Sequence, residues 1–138
     1  MYLISTAWGY YRHAFHLALV WSGRATRAEY WFFVVVHAAM TGVMVLLDST
    51  FGTELKAPPW GTVGLFATGY AAIILVVHSS LTVRRLHDID RSAWFLLWLL
   101  IPIVGNLVLF VYNALPSIGH ANRYGYNPHD RVTLGGSL

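Results

Sequence analysis

The chain has 138 residues, of which 57% are apolar and only 11% charged, with nine Lys+Arg against six Asp+Glu and no cysteine. An ordinary soluble domain carries about 25% charged residues, so this composition excludes a soluble globule and a disordered chain, and leaves a single membrane-embedded domain over residues 1–138. The lack of cysteine removes disulfides, thiolate metal sites and a Cys nucleophile.

The first segment, Trp8 to Trp21, is amphipathic. Treated as a helix, it puts Gly9, Arg12, His13 and His16 on a narrow polar stripe, with Trp8, Tyr11, Phe15, Ala18 and Leu19 elsewhere. That pattern predicts a helix lying in the membrane interface over 8–21. Arg12, His13 and His16 interrupt any signal-like apolar stretch, so the N-terminus is expected to be retained.

Tyr30 to Leu47 is the first long apolar run, and a transmembrane helix is expected over 29–47. Thr26 followed by Glu29 forms a capping box at its start, in which each side chain satisfies the other residue's backbone N–H. Asp48-Ser49-Thr50 ends the run. Pro58-Pro59-Trp60-Gly61 reads as a turn with an interfacial Trp, and a second transmembrane helix is expected over 62–83, ended by Arg84 and Arg85. Small residues recur at helical spacing: Gly64, Thr68 and Ala72 on the second run, Ala38 and Gly42 on the first. Such positions predict close helix–helix contact.

The third run, 93–115, follows the N-cap candidates Asp90 and Ser92 and is interrupted by Pro102 and Gly105. Two foldings fit. One is a single kinked span, with Trp94 and Trp98 at one end and Tyr112 at the other. The other is a re-entrant hairpin around Pro102–Asn106, which needs its backbone shielded by protein at membrane depth. Length and aromatic placement favour the span; charge bias favours the hairpin. The tail, 117–138, reads as a polar extramembrane loop. The expected fold is therefore an all-α membrane protein of three transmembrane helices and one interfacial helix.

Basic residues orient the chain. Arg12, Arg24 and Arg27 precede the first run, Lys56 alone lies between the first two, and Arg84, Arg85 and Arg91 lie between the second and third. The N-terminus and second loop are thus expected in the cytoplasm. Arg123 and Arg131 fall outside with a span and inside with a hairpin.

The densest polar cluster is Arg84-Arg85-Leu86-His87-Asp88-Ile89-Asp90-Arg91. On a continued helix, Arg84, His87, Asp88 and Arg91 share a face, so Asp88 is expected to pair with Arg84 or Arg91. The cluster reads as a topology anchor, as an anionic headgroup or phosphate site, or as a His–Asp acid/base pair without a neighbouring nucleophile. Asn122-Arg123-Tyr124-Gly125 reads as a compact polar turn, with Gly125 free to take positive φ. In the hairpin folding it returns to the cluster, and Arg123 is expected to bond Asp88.

His37 and His78 lie inside the first two runs, nearer the cytoplasmic end, and are placed to face each other. Intramembrane ionisable residues are functional candidates; the commoner outcome is a neutral His bonded to Thr41, Ser79 or a carbonyl. Acidic residues are read as lying outside the runs. No phosphate-binding loop, dinucleotide fingerprint, zinc-protease motif or nucleophile elbow is present. No catalytic, metal or cofactor residues are expected. The expected partners are membrane lipids and a larger membrane complex or homo-oligomer, with no nucleic acid.

The order of landmarks carries a resemblance. Gly23-Arg24-Ala25-Thr26-Arg27-Ala28-Glu29-Tyr30-Trp31, then Arg84-Arg85-Leu86-His87-Asp88, then Arg91-Ser92-Ala93-Trp94, then Ile101-Pro102 and Gly105, then Asn122-Arg123-Tyr124-Gly125, resembles the domain-of-unknown-function 805 family over about residues 8–128. Ala93-Trp94-Phe95 stands where the family commonly has Gly-Trp-Trp, and Tyr126 where a Pro often follows. The resemblance implies a small bacterial inner-membrane protein and no particular activity. The leading functional reading is a non-enzymatic accessory or assembly subunit. The alternatives are an anionic-headgroup module on the Arg-rich loops, or a small transporter or enzyme using His87 and Asp88.

Overall fold

A computed structural model describes residues 2–56 and 61–128, with side chains from Trp8 onward. The expected Pro58–Gly61 turn with Trp60, and the tail beyond Pro128, lie outside the described residues apart from Gly61. Helix α1 covers Tyr2–His16, α2 Arg27–Phe51, and α3 Leu65–Asp88. Strands β1 (Glu54–Lys56) and β2 (Thr62–Gly64) form a two-stranded antiparallel ribbon between α2 and α3. After α3 come a 3₁₀ helix, Ala93–Leu100, and α4, Val104–Ala114.

α2 and α3 are antiparallel and apolar enough to cross a membrane by length and composition. At 1.5 Å per residue they run ~37 and ~36 Å, against a hydrocarbon core about 30 Å thick. α2 extends past both expected ends; α3 begins at Leu65, because 62–64 form strand β2, and continues past Val83 to Asp88. The polar residues at these extensions are satisfied within the protein. Asp48 shows how. It lies inside α2 and is 1% exposed. Its carboxylate accepts from the Phe66 and Ala67 backbone N–H groups at 2.9 Å each and from the Thr53 hydroxyl at 2.5 Å. The N-cap of α3 is Gly64, which has no side chain to offer. Asp48 therefore caps a neighbouring helix, where free N–H groups and the helix dipole both favour an anion. A Cβ at Gly64 would stand 2.0 Å from Asp48 Oδ2. Asp48 stands just outside the apolar run, as expected, but inside the helix, which continues to Phe51.

α1 packs one face of its expected amphipathic segment against protein. Its helix is 2–16, followed by turns through Leu17–Leu19. Tyr11 and Ala14 are buried against Phe33, Ile74 and Val77 in the body of α2 and α3. Tyr10 stacks on Phe32, Tyr11 on Phe33, and the Tyr11 and Tyr70 hydroxyls lie 3.2 Å apart. Amphipathicity marks a face to be buried without saying whether lipid or protein buries it, and here aromatic packing against two helices wins.

The third run folds as the hairpin, and the single-span expectation is corrected. Its two limbs are the 3₁₀ helix and α4, joined by a turn at Ile101–Ile103. There Ile103 takes φ +67 and ψ −65, and the Val104 N–H bonds the Pro102 carbonyl at 2.8 Å. That is a γ-turn, rare for a β-branched residue. Pro102 ends the first limb because it brings no N–H to continue a helix. A Cβ at Gly105 would sit 1.6 Å from the Trp98 carbonyl oxygen, so the limbs touch backbone to backbone. Each limb is only ~16 Å long, half a bilayer core. Both ends of the run return to α3: the Arg91 N–H bonds the Leu86 carbonyl, and the Ile118 N–H bonds the Asp88 carbonyl.

Of the expected small residues, Gly64 does allow close contact, against Asp48 of α2, and the other four do not. Ala38, Gly42, Thr68 and Ala72 are all exposed. α2 and α3 instead join through Tyr30, Phe33, Ile74, Val77 and Leu81. Asp48→Ala should lower the detergent melting temperature clearly, by the loss of about 1–3 kcal/mol for the stranded N–H groups. Gly64→Ala should do the same by pushing the carboxylate away, whereas Gly42→Ala, which meets open space, should leave melting unchanged.

Candidate functional site

The polar residues of the sequence gather at one end of the bundle, where α3 ends, α2 begins and the tail returns. Asp88 is the centre, with a fully buried side chain. Its Oδ1 accepts from Arg24 Nε at 2.9 Å, and its Oδ2 accepts from Arg85 Nη1. Arg24, 64 positions away, is 8% exposed and uses its whole guanidinium. Nη2 donates to the Ile118 carbonyl at 2.6 Å and the Asp88 carbonyl at 3.3 Å; Nη1 donates to the carbonyls of His120 at 2.8 Å and Gly125 at 3.3 Å. Arg85 donates in addition to the carbonyls of Asn113 and Leu115 at the end of α4. One carboxylate and two arginines thus fasten four chain segments together.

A second ion pair lies beside the first. Arg84 Nη1 donates to Glu29 Oε1 at 3.2 Å, with both groups buried. Glu29 also donates its backbone N–H to Thr26 Oγ1 at 3.1 Å, so the helix cap and the inter-helix ion pair share one residue. The Ala25 N–H bonds the Arg84 carbonyl at 3.0 Å. Arg84 Nε and Nη2 are buried without a protein partner.

The remaining cluster residues complete the closure. His87 Nδ1 lies 3.2 Å from the Gly23 carbonyl, and its ring stacks on Tyr124 at 3.7 Å between centroids and 6° between planes. Asn122 donates to the His87 carbonyl at 2.8 Å, while its own Oδ1 accepts from the Tyr124 N–H at 2.9 Å. The 122–125 turn closes through mutual Asn122–Gly125 backbone bonds, with Gly125 at φ +130. Arg91 lies over the Phe95 and Tyr112 rings, 5.6 Å from each centroid, and ties the hairpin base to the loop.

Two expected pairings are corrected. Asp88 pairs with Arg24 and Arg85, not with Arg84 or Arg91, because the cluster faces three different neighbours rather than one. Arg123 pairs with Asp90 at 3.1 Å on the surface, 60% and 46% exposed, and does not reach Asp88. Arg24 was legible as a topology charge only; 64 residues of separation leave no local spacing signal for its partnership.

The two histidines do face each other, 6.1 Å between ring centroids. Their partners are tyrosines. His37 Nδ1 lies 3.2 Å from Tyr70 Oη, and His78 Nε2 lies 3.4 Å from Tyr30 Oη. Thr41 donates to the His37 backbone carbonyl and Ser79 to that of Val76, so neither serves a ring. With Tyr11 on Tyr70, the result is a ladder of polar rings through the helix interface. Among the described residues no three His, Asp or Glu side chains gather to hold a metal.

Residues 18–126 match the DUF805 family, described as proteins of unknown function. The chain belongs to that family. It is 39% identical over 106 residues to the inner membrane protein YhaH of Escherichia coli K12, covering 77% of this chain and 84% of the relative. It is 38% identical over 108 residues to the inner membrane protein YhaI of the same strain, covering 78% and 84%. No solved structure matches. The DUF805 protein is a membrane protein, and the matched region takes in the whole Asp88 knot.

Breaking one side of a buried ion pair costs about 3–5 kcal/mol, whereas a solvated pair contributes about 0–1. Asp88→Asn and Arg24→Gln should each lower the melting temperature strongly and be strongly non-additive in a double-mutant cycle. Arg123→Gln should be nearly silent and additive with Asp88→Asn. Coupling of Asp88 to Arg123 as large as to Arg24 would contradict the arrangement.

Proposed function

We propose that this DUF805 protein is a multi-pass protein of the bacterial inner membrane that acts as a non-enzymatic accessory or assembly subunit, packing against a larger membrane complex or another copy of itself. The observation carrying this reading is a division of labour between inside and outside. Asp88, His87 and the buried arginines are bound to one another and to backbone carbonyls. Meanwhile the small residues Ala38, Gly42, Thr68 and Ala72 remain uncovered on α2 and α3, where a further helix backbone could approach closely.

The same division weighs against the alternatives. A headgroup site needs arginine N–H groups turned outward; Arg24, Arg84 and Arg85 are interior, which leaves Arg12, Arg27, Arg91 and Arg123 as the exposed cations for that reading. Acid/base chemistry at His87 and Asp88 needs a reachable carboxylate, and both Asp88 oxygens already accept from arginine.

The charge distribution supports a cytoplasmic knot. Arg12, Arg24, Arg27, Arg84, Arg85, Arg91 and Arg123 belong to that end, while Glu54 and Lys56 lie on the ribbon at the other. Under the positive-inside rule the N-terminus is cytoplasmic. With a half-depth hairpin, the tail is cytoplasmic as well. The membrane then holds two full spans, α2 and α3, with the hairpin re-entrant beside them.

Cysteines at Ser22, Ser92 and Ala121 should resist an impermeant thiol reagent applied to intact cells, and one at Glu54 should react. Labelling at Ala121 with protection at Ser22 would restore a third span. For the accessory role, purification in mild detergent with chemical crosslinking should return a stoichiometric membrane-protein partner or a defined oligomer. Gly42→Leu should weaken that association while the melting temperature holds. A monodisperse monomer carrying stoichiometric anionic lipid would replace this reading with the headgroup one.

A further inference from the structure

Arg27 stands apart from the other arginines at the knot end of the bundle. It opens α2, its side chain is exposed, and it makes no hydrogen bond or ion pair among the described residues. Arg24, Arg84 and Arg85 are buried in the knot. Arg123 meets Asp90, and Arg91 lies over two rings. Arg12 is exposed as well, but the groove beside it is walled by α1 alone.

Below Arg27 runs a groove of about 390 Å³, walled by Ala28, Trp31, Phe32 and Val35 of α2 and by Ala114 at the end of α4. Arg27 is its single charged lining residue. From Arg27 to Val35 the helix advances ~12 Å at 1.5 Å per residue, which carries the groove from headgroup level into the hydrocarbon. A free cation at the top and an aromatic and aliphatic channel below it match the layout of a phospholipid.

The surroundings set the sign of the headgroup. A guanidinium matches phosphate oxygens. The knot behind it holds three buried arginines against two carboxylates, so one positive charge there is uncompensated. Arg27 lies within electrostatic reach of Arg85, and the two like charges repel. An anion on Arg27 offsets that repulsion. No Asp or Glu lines the groove, so the ammonium of a zwitterionic headgroup finds no partner and meets a positive field.

We propose that this groove seats an anionic phospholipid of the knot-side leaflet, of the phosphatidylglycerol class, with its phosphate on the Arg27 guanidinium and one acyl chain along Trp31, Phe32 and Val35. The site rests on the membrane embedding of α2. It leaves Ala38 and Gly42, deeper along the helix, to a protein partner.

Trp31 lines the groove and serves as the reporter. The full chain would be reconstituted in phosphatidylcholine vesicles containing rising fractions of dibrominated phosphatidylglycerol or dibrominated phosphatidylcholine, whose chains quench tryptophan on contact. The quenching lost in Trp31→Phe is the signal. It should show about a fivefold preference for phosphatidylglycerol, the factor that one arginine at the membrane surface supplies. Arg27→Gln should remove the preference and leave the melting temperature unchanged, since Arg27 has no partner to lose. Arg123→Gln should keep it. Equal quenching by the two lipids, or a preference that survives Arg27→Gln, would overturn the proposal. Quenching unaltered in Trp31→Phe would also do so and would leave this face to protein. Loss of the preference in excess glycerol phosphate would do the same, because the site would then hold a free phosphate without a chain. The comparison of the two lipids uses the unsubstituted protein, so it decides the matter even where a variant fails to fold.

Discussion

The structure depends on one buried carboxylate. Taking Asp88 out of water is costly, and its burial is tolerated only because Arg24 and Arg85 meet both oxygens. The arginines bring the same requirement in turn. Each guanidinium has five N–H groups to satisfy, and they reach the carbonyls of Asn113, Leu115, Ile118, His120 and Gly125. Those carbonyls belong to the end of α4 and the irregular chain after it, which has no ladder of its own. The knot therefore solves two problems together: it neutralises Asp88 and supplies donors to a backbone that secondary structure leaves unserved.

That requirement explains why the third run turns back. A straight span would carry residues 115–125 to the far side of the membrane and leave the N–H groups of Arg24 and Arg85 without the carbonyls of Leu115, Ile118, His120 and Gly125. The hairpin keeps both ends of the run beside α3, and Gly105 permits its limbs to close on each other. A γ-turn at Ile103 is a strained solution at the tip, and the bonds formed at the base offset it.

The opposite end of the bundle uses an anion in a different way. Asp48 has no cationic partner among the described residues and is held by N–H and O–H groups alone, at the positive end of a helix. Between the two ends, the helices meet through aromatic rings and tyrosine–histidine pairs. Among the described residues, the buried side-chain atoms left without a protein partner are Arg84 Nε and Nη2, Asn113 Oδ1 and Ser117 Oγ.

The sequence by itself determined the membrane class, the two long apolar helices, the Thr26 cap and the polar character of the 84–91 cluster. Each is written locally: an apolar run of bilayer length, a cap three residues from its partner, a series of charges on adjoining positions. It also narrowed the third run to two foldings, because Pro102 and Gly105 break a helix wherever they stand. Only the tertiary structure decided between them, paired Arg24 with Asp88, assigned Asp48 to the start of α3, and packed the Tyr11 face of α1 against α2 and α3. These are unions across the chain, 64 residues apart in the first case. Helical periodicity says which side chains share a face. It carries no information about which distant donor arrives to satisfy them, since a buried charge can be neutralised by any arginine that the packing brings within reach.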